Sequence, residues 1–128
     1  NIITLITIIF FSFKEAFLIM FMRVLLSSFF GGGWVVFWFS LAGGILSTIM
    51  MGVLYKWASK VLSIIGISIV GSIMHNIGQL IAASIIMKEL SVMGYLPVLL
   101  ISGIIMGYFV GLCTNFLTKA LNKTKILP

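Results

Sequence analysis

Apolar residues fill this chain in long blocks, separated by brief charged or glycine-rich breaks. Uncharged windows run over 24–55, 61–87 and 90–118. Each exceeds the ~20 apolar residues that a helix rising ~1.5 Å per residue needs to cross roughly 30 Å of hydrocarbon. A spanning backbone must satisfy its own hydrogen bonds, and the alternation of a barrel strand is absent, so the blocks read as helices. A helix through Lys14 and Glu15 would place both charges near its middle, at several kcal/mol on insertion scales. The pattern therefore predicts a turn at Lys14-Glu15 and another at the breaker cluster Gly31-Gly32-Gly33. The expected helices are 2–13, 16–30, 34–55, 61–87 and 92–117, with Pro97 tolerated in the first turns of the last. The expected fold class is an all-α, polytopic membrane helix bundle of about five transmembrane helices. It forms a single transmembrane domain over 1–128, with a short basic tail at 118–128.

Charge then orients the bundle. With five crossings, Lys14, Lys56, Lys60, Lys119, Lys123 and Lys125 fall on one side and Lys88 alone on the other. The positive-inside rule makes the lysine-rich side, tail included, cytoplasmic. The formal net charge of +6 thus reads as topology and contact with anionic lipid heads rather than as a nucleic-acid footprint. Trp34, Trp38, Tyr55 and Trp57 lie near expected helix ends, as an interfacial belt requires.

Composition removes much chemistry. Charged residues are 8% of the chain, the two acidic ones are Glu15 and Glu89, and no Asp occurs. Paired-Asp metal sites, Asp-based phosphoryl transfer and a Ser-His-Asp triad are excluded. One His and one Cys are too few for a zinc cage or an Fe–S site, and Cys113 has no disulfide partner within the chain. No catalytic residue, metal site or cofactor is expected, and no Walker A sequence is present.

Arg23 is the sharpest anomaly, a guanidinium near the middle of an apolar block. Such a charge costs ~2.5–3.5 kcal/mol on insertion scales and normally faces the bundle interior or a wet cavity. The competing reading is a short helix from which the side chain snorkels to a nearby surface. On the fourth helix, Ser68, Ser72, His75 and Gln79 share one face, with Asn76 one step to its side. That face reads either as interhelical hydrogen bonding at ~0.6 kcal/mol per bond or as the polar wall of a ligand cavity. Candidate substrate-binding residues are therefore Arg23, Ser72, His75, Asn76 and Gln79. Gly103, Gly107 and Gly111 make two consecutive GxxxG spacings, a helix-packing signal whose partner the pattern leaves open. Ser40, Gly43, Gly44 and Ser47 form a similar small-residue set on the third helix.

The residues Phe13-Lys14-Glu15-Ala16, Arg23-Val24-Leu25-Leu26, Leu41-Ala42-Gly43-Gly44, the run from Gly71 through His75-Asn76 to Gln79, and Leu96-Pro97-Val98-Leu99-Leu100 followed by Ser102-Gly103 resemble one bacterial membrane family. It is called heptaprenyl diphosphate synthase component I, or Gx transporter, and is similar to the substrate-binding S components of energy-coupling factor transporters. The resemblance implies a multi-pass subunit of the bacterial cytoplasmic membrane that captures a small solute, anionic or isoprenoid-related. Its implied partners are a transmembrane coupling protein and ATPase subunits. It also implies a six-helix bundle, of which five helices here would be a copy lacking the first. The enzyme name sits poorly with the residues, because prenyl diphosphate synthases hold diphosphate through Mg²⁺ on Asp-rich motifs. The alternative is a non-catalytic membrane partner of a polyprenyl diphosphate synthase in isoprenoid or quinone biosynthesis. A channel is the weaker reading, since no charged ring or filter-like sequence is present.

Overall fold

A computed structural model describes residues 2–124, which contain helices and no strand. The five α-helices are α1 (Ile2–Phe10), α2 (Phe13–Ser27), α3 (Gly33–Ala58), α4 (Ile64–Met87) and α5 (Leu96–Thr124). A π-turn, Ser28–Gly32, joins α2 to α3, and a 3-10 segment, Leu90–Tyr95, precedes α5. Three helical stretches, 13–58, 64–87 and 90–124, are long and apolar enough to cross a membrane. The first folds back on itself. Gly33, with φ 72°, occupies a conformation that favours glycine and reverses the chain there.

The first break differs from the expected one. α1 ends at Phe10, and Lys14 and Glu15 lie inside the first turn of α2 rather than in a turn between helices. The reason is a cap. Ser12 is extended (φ −118°, ψ 167°), its backbone N–H donates to Glu15 Oε2 at 2.7 Å, and its carbonyl accepts from Ala16 N at 3.1 Å. Glu15 thereby satisfies a backbone donor that the helix start leaves open. At nine residues, α1 is about 14 Å long, less than half of a hydrocarbon core.

The other boundaries shift for equally local reasons. Ser63, whose hydroxyl accepts from Gly66 N at 3.1 Å, caps α4, so that helix begins at Ile64 rather than at residue 61. Lys88, left-handed at φ 53° and ψ 38°, ends α4 at the expected break. Pro97 sits in the first turn of α5, where its missing N–H costs nothing. Nor is the stretch from residue 118 a simple tail: α5 continues through Lys119 and Lys123 to Thr124, and Lys125 lies outside the described residues.

Close approaches establish how the helices pair. A Cβ on Gly52 would strike Phe13, and one on Gly44 would strike Met20, so α2 and α3 are antiparallel. Gly43 meets His75 and Gln79, and Gly71 meets Met51 and Ser47, which makes α3 and α4 antiparallel. Gly103 meets Ile73 and Gly111 meets Ile65, which makes α4 and α5 antiparallel. The result is a row α2–α3–α4–α5. α1 lies across it, touching α2, α3 and α5, with Leu5 and Ile8 packed on Ala16, Met51 and Ile67. This pairing gathers Lys14, Lys56, Lys60, Lys119 and Lys123 at one end of the bundle and leaves Lys88 at the other, beside the Gly31–Gly33 turn. Trp34, Trp38 and Trp57 are exposed, and the Lys56 ammonium lies 5.6 Å from the Trp57 ring centre.

Candidate ligand-binding face

Packing of α2 sets the position of Arg23. Ala16, Met20 and Val24, spaced four apart, are its buried stripe, and Met20 and Val24 pack against Phe37. Arg23 precedes Val24 and so lies about 100° further round the helix, at the margin between the buried stripe and the exposed Leu18, Met22 and Leu26. It is half-buried. Neither carboxylate pairs with it: Glu15 caps α2 two turns away, and Glu89 stands at the opposite break.

On α4 the polar residues divide between two neighbours. His75 and Gln79 lie against α3 at Gly43, where a Cβ would come within 3.1 Å of His75 Nδ1 and 2.9 Å of Gln79 Cγ. His75 Nδ1 is enclosed and has no hydrogen-bond partner among the described residues. Asn76 instead turns to α5 and donates from Nδ2 to the Leu99 carbonyl at 2.9 Å. Ser72 is buried, 7% exposed. His75 and Gln79 thus adjoin α3, while Asn76 belongs to the α4–α5 seam.

Residues outside the candidate set extend this polar interior. Ser47 and Ser68, 1% and 0% exposed, each bury a hydroxyl without a partner among the described residues. Thr4, Thr7, Thr114 and Thr118 are buried on α1 and α5, and Thr7 and Thr114 donate to the carbonyls of Ile3 and Val110 on their own helices. Their sequence signal is a hydroxyl recurring at helical spacing within an apolar run, as Thr114 and Thr118 show.

The three glycines of α5 meet α4 within the same chain. A Cβ on Gly107 would lie 2.6 Å from Ile69 Cα, and one on Gly111 2.6 Å from Ile65 Cα. Gly103 stands 3.2 Å by the same measure from Asn76 Nδ2, so its bare surface leaves room for the Asn76–Leu99 hydrogen bond.

A family model described as heptaprenyl diphosphate synthase component I matches residues 1–117. The chain belongs to that family. The match covers α1 through most of α5, including Arg23 and the polar face of α4. No curated protein and no solved structure matches the chain. As a member of the heptaprenyl diphosphate synthase component I family, the chain carries a synthase description on a helical membrane architecture. Among its described residues, no group of His, Cys, Asp and Glu is arranged to hold a metal ion.

Proposed function

We propose that the chain is a non-catalytic membrane subunit that binds an anionic, isoprenoid-related solute and works beside a polyprenyl diphosphate synthase. One observation carries the reading: a half-buried guanidinium on α2, paired with neither Glu15 nor Glu89, in an otherwise apolar bundle whose α4 also carries a polar face. A desolvated guanidinium requires acceptors, and a phosphate or carboxylate satisfies its fork in a bidentate manner. The family description supplies the synthase. The absence of Asp supports a division of labour in which a partner performs the Mg²⁺-dependent chemistry. Arg23 supplies charge, and His75, Gln79 and Ser72 orient the ligand.

The second reading is a substrate-capture subunit for uptake, driven by a transmembrane coupling protein and partner ATPases. It is favoured by the polar face on a spanning helix, which suits a solute held at membrane depth. Both readings share the ligand site and differ in the partner. Gentle extraction of the tagged full-length protein from its own membranes, with mass spectrometry of what copurifies, decides between them. A soluble prenyltransferase is the expected companion. Recovery of ATPase subunits without a prenyltransferase would transfer the proposal to uptake.

A further inference from the structure

A groove of about 430 Å³ lies where the end of α3 meets α1 and the start of α2. Its volume falls in the ~300–1,000 Å³ range of small-molecule sites. A side chain at residue 52 would occupy the place of the Phe13 ring, so Gly52 is what admits that ring as one wall. The lining changes character along α3. Ile8, Phe13 and Val53 are apolar, whereas Tyr55, Lys56 and Trp57, in the final turn before Ala58, bring a hydroxyl, an ammonium and an indole N–H. Tyr55 is half-buried against the Leu5–Ile8 core, and the Lys56 ammonium lies 5.6 Å from the Trp57 ring centre. Glu15 is not part of the lining, and its carboxylate accepts from the Ser12 N–H. The groove thus has a hydrocarbon end and a cationic end about 5 Å apart along the helix. It stands at the end of a helical stretch long enough to span, where the exposed Trp57 marks the membrane–water boundary.

We propose that this groove binds one anionic phospholipid of the leaflet at the lysine-rich end, with its phosphate at Lys56 and its first acyl carbons along Val53, Phe13 and Ile8. The inference is independent of the solute reading at Arg23. Lining chemistry selects the occupant. A soluble phosphate ester would use Lys56 but leave the apolar wall uncovered, and a zwitterionic lipid would cover that wall but bring a second cation to Lys56. An anionic lipid satisfies both ends, and the hydroxyl and indole N–H suit the phosphate and ester oxygens found at this depth. The other basic surface at this end differs in kind. Lys119 and Lys123, with Phe116, lie on α5 alone, with no second helix to form a wall. The groove between α3 and α4, lined by Trp38, Ile45 and Ile85 among others, has walls but no cation.

The test titrates the full-length protein in one detergent with phosphatidylglycerol or phosphatidylcholine of the same acyl chains, and counts bound lipid by native mass spectrometry. The parent should bind its first phosphatidylglycerol about fivefold more tightly, the effect of one lysine near an anionic surface. Lys56→Gln should erase that preference, and Lys119→Gln, at the same end but outside the groove, should keep it within about twofold. Val53→Trp, which fills the apolar end, should weaken phosphatidylglycerol with the charge intact. In the parent protein, a photoreactive phosphatidylglycerol should crosslink to Phe13 and residues 52–57, a readout independent of any variant's folding. Equal affinity of the parent for the two lipids, or crosslinks confined to α5, would overturn the proposal. So would an equal loss in Lys56→Gln and Lys119→Gln, which would mean diffuse attraction to the basic end. Displacement of the lipid by glycerol 3-phosphate at equal concentration would reassign the groove to a soluble phosphate ester and overturn the lipid assignment.

Discussion

Asn76 on α4 donates to the Leu99 carbonyl on α5 at 2.9 Å, across the bare surface of Gly103. This hydrogen bond assigns Asn76 to helix association, whereas its neighbour His75 faces α3. Asn76→Leu should therefore destabilise the bundle by about 0.6–1.7 kcal/mol, the range found for such bonds in membranes, and leave diphosphate affinity within twofold. His75→Ala should show the reverse pattern. Thermal unfolding in detergent and ligand titration on the same preparations separate the two effects.

Gly107→Ala and Gly107→Leu should destabilise progressively, because the first added carbon already falls 2.6 Å from the Ile69 backbone. Backbone cannot yield as a flexible side chain does, and overpacking costs about 1–3 kcal/mol. Val98→Leu, on an exposed position of the same helix, should be neutral. Equal unfolding temperatures for all three variants and the parent would show that α4 and α5 do not depend on this approach.

Lys88 ends α4 at φ 53°, where a side chain is strained and glycine is not. Lys88→Gly should raise stability by about 0.5–1 kcal/mol, read as a higher unfolding temperature. A lower one would mean that the lysine side chain makes a compensating contact.

Antiparallel pairing places Lys60 and Glu89 at opposite ends of the bundle. By the positive-inside rule the one-sided lysines predict that the Lys60 end is cytoplasmic. In a Cys113→Ser background, Glu89→Cys should react with an impermeant maleimide added outside intact cells, and Lys60→Cys only after the membrane is opened. The opposite labelling would invert the orientation.

The helical blocks were legible because charge is so costly in a bilayer that its few occurrences mark their edges. Where the first break falls was not read correctly from charge alone. Lys14 and Glu15 mark the region, but the Ser12-x-x-Glu15 capping signature shows that the carboxylate belongs to a helix start. The same sequence logic, applied to Ser63 and Gly66, would have moved the start of α4. For the polar face of α4, helical spacing set His75 and Gln79 together with Asn76 one step to the side, but not which neighbouring helix each side chain meets.

The role of Arg23 is the centre of this account, and native mass spectrometry of the full-length protein, released gently from its own membranes, tests it most directly. The parent should retain an anionic isoprenoid as a bound mass, and Arg23→Gln, inserted in the membrane at the same level, should have lost it. Equal retention by the two proteins, or a bare parent, would contradict the claim that this guanidinium exists to hold a ligand.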